Sequence, residues 1–320
     1  MRRASPALLL LLPTLAHELT SFGESGGQAN FPRLVAFTLA FLLVLLLTAY
    51  LGYRRARTRG GSEVVWAVFP TVVVAVVGAM ILMAALNFQP TGGAQLRLEV
   101  SGRRYWWAAR YPDLGVTTAG EVWVPVGQRV ELRATSRDVF FSLAIPGLGV
   151  KIDAVPGQQT RTWFVAKQAG IYGGRETEYV GPSTDKMRLR VLALPPEVFD
   201  RLIQAIEAYP GPRLEGRARR GEALFLARCA GCHTAKGTPA RGTEGPDLSY
   251  FRLRTTFGSG VWPNRPSFLR TWIADAPAMK PGVRMPAFHD LGSDEIEALI
   301  AFLEDLGPSG FDLARYGRLR

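Results

Sequence analysis

Two cysteines and a histidine stand together as Cys-x-x-Cys-His, at Cys229, Cys232 and His233. Two thiols one helical turn apart can add to the two vinyl groups of haem, and the adjacent imidazole can then ligate the iron. A redox dithiol would need a βαβ context, and a zinc site would need a second pair of ligands. The sequence shows neither of these, so it predicts one covalent haem c.

The second axial ligand of such a haem is expected to be a methionine, which raises the potential into the range of an electron carrier. Met285 lies in the loop Lys280–Pro286, whose prolines and glycine can present a side chain to a haem face. Met279 is expected to fill core space, and His289 to be solvated. Met285 is therefore the predicted ligand.

Composition excludes several other classes of site. The chain of 320 residues has only two cysteines and three histidines, so a disulfide scaffold or a multi-Cys zinc site is excluded. Its length predicts two or three domains. The sequence also lacks an acid/base dyad, a nucleophile triad and a phosphate loop, so the chain alone is not expected to be catalytic. The net charge is +11, but no Lys/Arg block resembles a nucleic-acid stripe.

The first third of the chain has the pattern of a membrane anchor. Residues 1–16 are expected to form a signal peptide. Two uncharged runs, about 34–53 and 64–88 within segment 30–90, are each long enough to cross a bilayer. Four arginines (Arg54, Arg55, Arg57, Arg59) lie between them and place their loop in the cytoplasm. The sequence predicts a transmembrane hairpin with the rest of the chain outside the cytoplasm.

Residues 94–194 alternate apolar and polar side chains with period two, and glycine and proline separate the runs. This pattern predicts an antiparallel sandwich or barrel. Residues 195–212 are expected to be a linker with a short helix, Val198–Ala208. Residues 213–308 then form the cytochrome domain, with helices over Arg217–Arg228 and Ser293–Leu306, and residues 309–320 form a tail.

The whole layout resembles subunit II of the haem-copper oxygen reductases, in the caa-type form with a fused cytochrome c. Six segments carry the resemblance: Glu63–Trp66 with Pro70, Ser101–Trp107 with Tyr111–Pro112, Ser136–Val139, Leu148–Gly157, Gly245–Leu248 and Lys280–Pro286. The resemblance implies a multidomain membrane protein. Its parts are a two-helix transmembrane hairpin, an all-β cupredoxin-like barrel and an all-α class I cytochrome c domain.

The family's barrel holds a two-copper CuA centre, and here the sequence departs from the pattern. The six ligand positions fall at Phe141, Glu176, Glu178, Val180, Thr184 and Met187, of which only Glu178 and Met187 match the family. Bridging thiolates are required for such a centre, and both cysteines of this chain are in the haem motif. We therefore expect no CuA. Glu176 and Glu178 are expected to be surface carboxylates. We also expect mutual pairing around the loop among Arg175, Glu176, Asp185 and Lys186.

Two further residues of the resemblance concern electron and proton entry. Tyr105 stands where the family has a tryptophan that receives electrons from a separate cytochrome c. The neighbouring Trp106 and Trp107 are expected to be barrel core rather than a relay. Glu63 stands where the family has a glutamate at the mouth of a proton channel, and an interfacial carboxylate near the arginine cluster is the alternative.

The resemblance implies an electron-transfer subunit of a cytochrome c oxidase type complex in a bacterial inner membrane, with its C-terminal domains periplasmic. Its expected partners are subunit I, other subunits, the lipid bilayer, and a donor such as a cytochrome c or a quinol–cytochrome c reductase. Two alternatives remain open. The complex could reduce nitric oxide or be fed by quinol, or the chain could be a structural or assembly subunit.

Overall fold

The structure is a computed structural model that describes residues 93–316 and, before them, positions 39, 43, 45–47, 50, 52–54, 68 and 70–79. These earlier positions are helical. Within the described part of the chain, no helix has the length and apolar character needed to cross a membrane. The predictions for residues 1–16, for most of both apolar runs and for Glu63 lie outside the described residues. Met1–Gly93 and Ala94–Arg320 are two compact units, and the second contains all the strands and the haem motif described below.

Ten strands form two five-stranded sheets. The strands are β1 (Leu96–Arg103), β2 (Trp106–Tyr111), β3 (Val116–Ala119), β4 (Glu121–Pro125), β5 (Arg129–Ser136), β6 (Phe141–Ile145), β7 (Val150–Ala154), β8 (Thr160–Val165), β9 (Gly170–Glu176) and β10 (Arg188–Leu194). Their orders are β3-β2-β1-β5-β8 and β4-β10-β9-β6-β7. Alternate residues of β1 and β5 are buried, as the period-two pattern predicts.

Two strand pairs are parallel, which differs from the predicted antiparallel arrangement. β1 pairs in parallel with β5, with Leu98 opposite Leu132, and β4 pairs in parallel with β10, with Val122 opposite Val191. Alternation of apolar residues reports which face of a strand is buried and carries no information on strand direction. The chain moves to the second sheet at β4 before it returns to β5, so the parallel pairs join strands that are distant in sequence.

The space between the sheets is filled with apolar side chains, and a tyrosine links the sheets across it. Tyr111 on β2 is fully buried. Its hydroxyl donates a hydrogen bond of 2.8 Å to the carbonyl of Trp123 on β4 and accepts one of 2.7 Å from the Trp123 amide. This pairing satisfies a buried hydroxyl, which would otherwise cost free energy.

The predicted linker and tail both pack on the barrel. Helix α1 (Pro196–Ala208) buries one apolar face, including Phe199, Leu202 and Ile206, in the same core as the strands. After the cytochrome domain the chain returns to this core, where Leu313 is 3% exposed. The cytochrome domain therefore lies between two segments that are both part of the barrel core.

The cytochrome domain contains α2 (Gly216–Arg228), α3 (Pro266–Ala274), α4 (Ala276–Met279) and α5 (Ser293–Glu304). Helices α2 and α5 cross closely at Gly221, where a Cβ would lie 1.9 Å from the carbonyl oxygen of Ala298. The rings of Phe225 and Phe302 pack 5.0 Å apart beside this crossing. The domain also contains a small hairpin of β11 (Thr256–Phe257) and β12 (Trp262–Pro263), so the all-α prediction holds for its framework but not for this loop.

Buried polar contacts join the cytochrome domain to the barrel. The carboxylate of Glu121, at the start of β4, accepts hydrogen bonds from the Thr255 amide at 2.9 Å and from the hydroxyls of Thr255 and Thr256 at 2.7 and 3.1 Å. The amide of Arg188 donates to the carbonyl of Ser259, whose hydroxyl donates back to the Arg188 carbonyl. The two domains are thus docked through fully formed hydrogen bonds.

Candidate haem site

The Cys-x-x-Cys-His motif continues the last turn of α2. The amide of Cys229 donates to the Phe225 carbonyl at 2.8 Å, and the amides of Cys232 and His233 both donate to the Cys229 carbonyl at 3.0 Å. This turn places both thiols and the imidazole around one cavity. Burial raises the pKa of the Cys229 thiol to about 11, so this cysteine is held as a thiol.

A backbone carbonyl orients the imidazole of His233. Its Nδ1 lies 2.8 Å from the Pro246 carbonyl, which can only accept, so Nδ1 carries the proton and Nε2 is free. Burial lowers the pKa of this imidazole, which favours the neutral form that ligates metals. Gly245 leaves the necessary space, because a Cβ there would lie 2.6 Å from Cε1 of the ring.

The cavity has a volume of about 470 Å³, within the range of pockets that hold small molecules and cofactors. Apolar side chains of the cytochrome domain supply much of its lining, among them Phe225, Leu248, Phe251, Leu269, Ile273 and Leu299. Met285 also lines this cavity. The loop Lys280–Pro286 therefore brings the predicted sixth ligand to the same cavity as His233.

The two rejected ligand candidates lie elsewhere. Met279 ends α4 and does not line the cavity. His289 also lies outside it, with a side chain that is 72% exposed and an Nε2 3.7 Å from the Asp275 carboxylate. The structure thus brings Cys229, Cys232, His233 and Met285 together and leaves the alternatives out.

Two guanidinium groups in the cavity fit the acidic groups of a haem. The Nε atoms of Arg254 and Arg103 are buried and have no hydrogen-bond partner. Arg254 donates from Nη2 to the Asp247 carbonyl, and burial lowers the pKa of its guanidinium to about 10. Buried cations are normally paired, and the two propionates of haem are the anions that this cavity would receive. The residues present therefore fit haem c.

The barrel supplies one side of this cavity through the turn between β1 and β2. Tyr105 and Trp106 both line it, and the guanidinium of Arg103 lies over the Trp106 ring at 5.0 Å. The prediction that both tryptophans are core is right for Trp107, which is fully buried. It is wrong for Trp106, because neighbouring residues of a strand point to opposite faces and the cytochrome domain covers the outer face here.

The six positions where the resemblance expects copper ligands lie around β6, β9 and the loop before β10. Phe141 is fully buried, with its ring 5.8 Å from that of Trp107 in an edge-to-face arrangement. Met187 is also fully buried, Val180 packs partly buried on the core, and Thr184 donates to the Gly181 carbonyl. Among the described residues, no cluster of three or more His, Cys, Asp or Glu side chains is arranged to hold a metal ion.

The predicted surface position of Glu176 is wrong, whereas Glu178 is exposed as expected. Glu176 is 6% exposed, and its Oε1 accepts from the amides of Ser142 at 2.8 Å and Glu178 at 2.9 Å. The expected pairing with charged neighbours does not form, because Glu176 ends β9 on its inward face, where backbone amides bind its Oε1 and its Oε2 is buried without a hydrogen-bond partner. Burial raises the pKa of this carboxyl group.

The motifs gave no indication of a role for Lys280, which is 1% exposed. Its Nζ donates to the carbonyls of Tyr105 and Lys186 at 2.7 Å, both in the barrel, and to that of Gly258 at 3.0 Å. Two neighbouring contacts reinforce this anchor, from the Ser183 hydroxyl to the Pro281 carbonyl and from the Lys186 ammonium to the Met279 carbonyl. Lysine is rare in this chain, with five residues against 33 arginines, and this rarity was the sequence feature that could have drawn attention to Lys280.

Known proteins share both parts of this architecture. Residues 114–193 match the family profile described as cytochrome c oxidase subunit II, periplasmic domain, and residues 218–307 match that of cytochrome c. The cytochrome c oxidase subunit 2 of Alkalihalophilus pseudofirmus is 30% identical over 76% of this chain and 72% of its own length. That of Bacillus sp. strain PS3 is 27% identical over 76% and 74%.

A solved structure is also similar, the periplasmic domain of subunit II of cytochrome oxidase from Bradyrhizobium japonicum. It is 26% identical and covers 36% of this chain and 95% of that chain, with a TM-score of 0.34. The barrel and the haem-type cavity together define a cupredoxin-like domain fused to a cytochrome c domain. The chain belongs to the cytochrome c oxidase subunit 2 family, and the resemblance read from its motifs is confirmed.

Proposed function

We propose that this chain is the electron-transfer subunit of a membrane haem-copper oxidase of the cytochrome c oxidase type, and that it carries one covalent haem c and no CuA centre. The observation that carries the proposal is the convergence of Cys229, Cys232, His233 and Met285 on one cavity. When bound, haem c would supply a one-electron carrier.

Each residue has a defined task in this proposal. Cys229 and Cys232 would form the two thioether bonds, and His233 would ligate the iron through Nε2 because its Nδ1–H is held by Pro246. Met285, which lines the same cavity, would be the second residue to ligate the iron. The apolar lining around Phe225 and Leu299 excludes water, which favours the potential of an electron carrier.

The barrel would act without copper. Thiolate bridges are needed for a two-copper centre, and both cysteines of the chain line the haem-type cavity. The buried ring of Phe141 occupies core volume at one of the family's ligand positions. In this proposal the barrel serves to hold the cytochrome domain and to present it to subunit I.

The setting is part of the same proposal. The chain would be held in the bacterial inner membrane by the predicted hairpin, with residues 94–320 periplasmic, and would accept electrons from a cytochrome c, a quinol–cytochrome c reductase or a similar donor. Glu63, at the predicted cytoplasmic end of the second span, remains a candidate for proton entry.

The copper-to-haem c ratio of the complex purified through this subunit tests the absence of CuA. We expect one copper atom per haem c, together with non-covalent haem, since the oxygen-reducing site belongs to subunit I. Three copper atoms per haem c would contradict the proposal. Additional iron without copper would favour nitric oxide reduction, and the absence of any companion metal would indicate a free cytochrome.

Ligand assignment is tested with matched variants of the full chain. Met285→Leu should leave haem covalently attached but alter its absorption spectrum and lower its reduction potential, because sulfur ligation is lost. Met279→Leu is the control and should leave both unchanged. Cys229→Ser with Cys232→Ser should abolish covalent attachment. If turnover by the complex continued without attached haem, the chain would be a structural subunit instead.

A further inference from the structure

Three cations of the barrel line the haem-type cavity, Arg103, Arg104 and Arg137, and among them Arg103 has a buried donor without a partner. Arg103 ends β1, yet its side chain lines the cavity together with Cys229, His233 and Met285. Its Nη1 donates to the carbonyl of Thr243 in the cytochrome domain. Its Nε is buried and has no hydrogen-bond partner. A planar guanidinium that keeps a free, buried donor is suited to bind a carboxylate.

The neighbouring carboxylates already have other partners. Glu244 is ion-paired with Arg284 at 3.6 Å. The Asp138 carboxylate accepts hydrogen bonds from the amides of Arg104 at 3.0 Å and Val139 at 2.9 Å. No ion pair joins either of them to Arg103 among the described residues. The guanidinium is therefore in ion-pair contact with neither carboxylate: Glu244 and Asp138, which also line the cavity, attract it only at longer range, and Arg137 repels it.

Two contacts fix the direction of this side chain. The Trp106 ring lies under the guanidinium at 5.0 Å, and the Thr243 carbonyl receives the Nη1 donor. The Lys280 anchor holds the adjacent Tyr105 carbonyl at 2.7 Å, so the turn that carries Arg103 is fixed to the cytochrome domain. Arg103 is thus oriented before any ligand enters, which lowers the entropic cost of binding.

We propose that the haem c site is shared between the two domains, and that Arg103 of the barrel is a positioning residue that binds a haem propionate through its free Nε–H. This inference rests on the proposed function, since it takes haem c as the occupant. Arg254 supplies the equivalent donor from the cytochrome domain, so each of two propionates would have a cation. Docking on the barrel then completes the cofactor site.

The assignment has a redox signature. A cation beside a propionate neutralises a negative charge that otherwise favours ferric over ferrous haem. In the full-length chain, Arg103→Ala should lower the haem c reduction equilibrium constant about tenfold, which is roughly 59 mV for a one-electron couple. The drop should shrink as the pH falls, because protonation of the released propionate removes its charge. Arg103→Lys should give an intermediate value.

Arg110→Ala is the matched control, because Arg110 is exposed on the neighbouring strand β2 and does not line the cavity. It should leave the potential unchanged. The inference is overturned if Arg103→Ala has the wild-type potential at every pH. It is also overturned if the potential falls equally at every pH, since that result reports altered docking without a propionate contact.

Two further outcomes separate this inference from the function on which it rests. If the Arg103→Ala chain fails to fold, the neutral variant Arg103→Gln decides, and a wild-type potential in Arg103→Gln across the pH range overturns the assignment. If wild-type protein carries no covalent haem, the proposed function itself fails. A third result would refute only the propionate contact. In that result the haem is covalently attached, Met285→Leu changes the spectrum and the potential as expected, and Arg103→Ala leaves the potential unchanged.

Discussion

The ammonium nitrogen of Lys280 lies 2.7 Å from the carbonyl oxygen of Tyr105, so a lysine of the cytochrome domain is anchored to the aromatic turn of the barrel. The same nitrogen reaches two further carbonyls and leaves no donor unused. Burial lowers the pKa of this lysine to about 7, while three carbonyl dipoles favour its charged form. Two of the hydrogen bonds that join the domains therefore come from this one side chain.

Lys280→Met should weaken that docking. The apolar side chain keeps the volume but leaves three buried carbonyls without a donor, so the free energy of unfolding should fall by about 2 kcal/mol. Urea titration of the full chain, followed by tryptophan fluorescence, measures the change. Lys167→Met is the control, because Lys167 is exposed and lies on the barrel surface. Equal midpoints for the two variants would show that Lys280 contributes nothing to docking.

Glu121 should make stability depend on pH. Burial raises the pKa of its carboxyl group above the ordinary 4.5. Between 4.5 and the raised value the folded protein binds more protons than the unfolded one, so stability falls as pH rises through this window. Glu121→Gln removes the titration and should flatten the curve. The Tm of the wild type minus the Tm of the variant should therefore decrease as the pH rises from 4.5. A difference that stays constant with pH would contradict a raised pKa for Glu121.

Gly245→Ala should disturb the imidazole of His233. The added Cβ would lie 2.6 Å from Cε1, so the ring must rotate away from the Pro246 carbonyl. We expect haem to remain attached through the cysteines, with an altered axial-ligand absorption spectrum. Gly173→Ala serves as the control, because a Cβ at that position meets nothing within 4 Å. An unchanged spectrum in Gly245→Ala would refute the orienting role of this contact.

Phe140 and Phe141 form a matched pair for testing the barrel core. Phe141 is fully buried against Trp107, whereas Phe140 is 43% exposed. Phe141→Ala should lower the free energy of unfolding by about 3–5 kcal/mol through the cavity it leaves. Phe140→Ala should change it by less than about 0.5 kcal/mol. Similar losses in urea titration would mean that Phe141 does not support this core.

The sequence predicted those features that depend on local spacing. The motif Cys229–His233 and the loop that carries Met285 can each be read from adjacent residues, and the structure brings them to one cavity. Alternation along β1 and β5 also predicted which residues are buried. In each case the controlling interaction lies within one element, where periodicity reports it directly.

The features that the sequence did not predict depend on docking between elements. Glu176 reads as a surface residue, yet the Ser142 amide reaches it from another strand and allows its burial. Trp106 reads as core, yet it faces the cavity because the cytochrome domain covers that side of β2. Arg103 and Lys280 resemble ordinary surface cations until residues more than one hundred positions away supply their surroundings.

The return of the chain to the barrel at Leu313, after α1 has already packed there, gives the cytochrome domain two points of attachment. A domain held at both ends cannot diffuse away when its contacts open. Its effective concentration at the docking surface then stays far above that of a partner free in solution, in the millimolar range or higher for short connections. Redocking is thus an intramolecular event that does not depend on the amount of protein present.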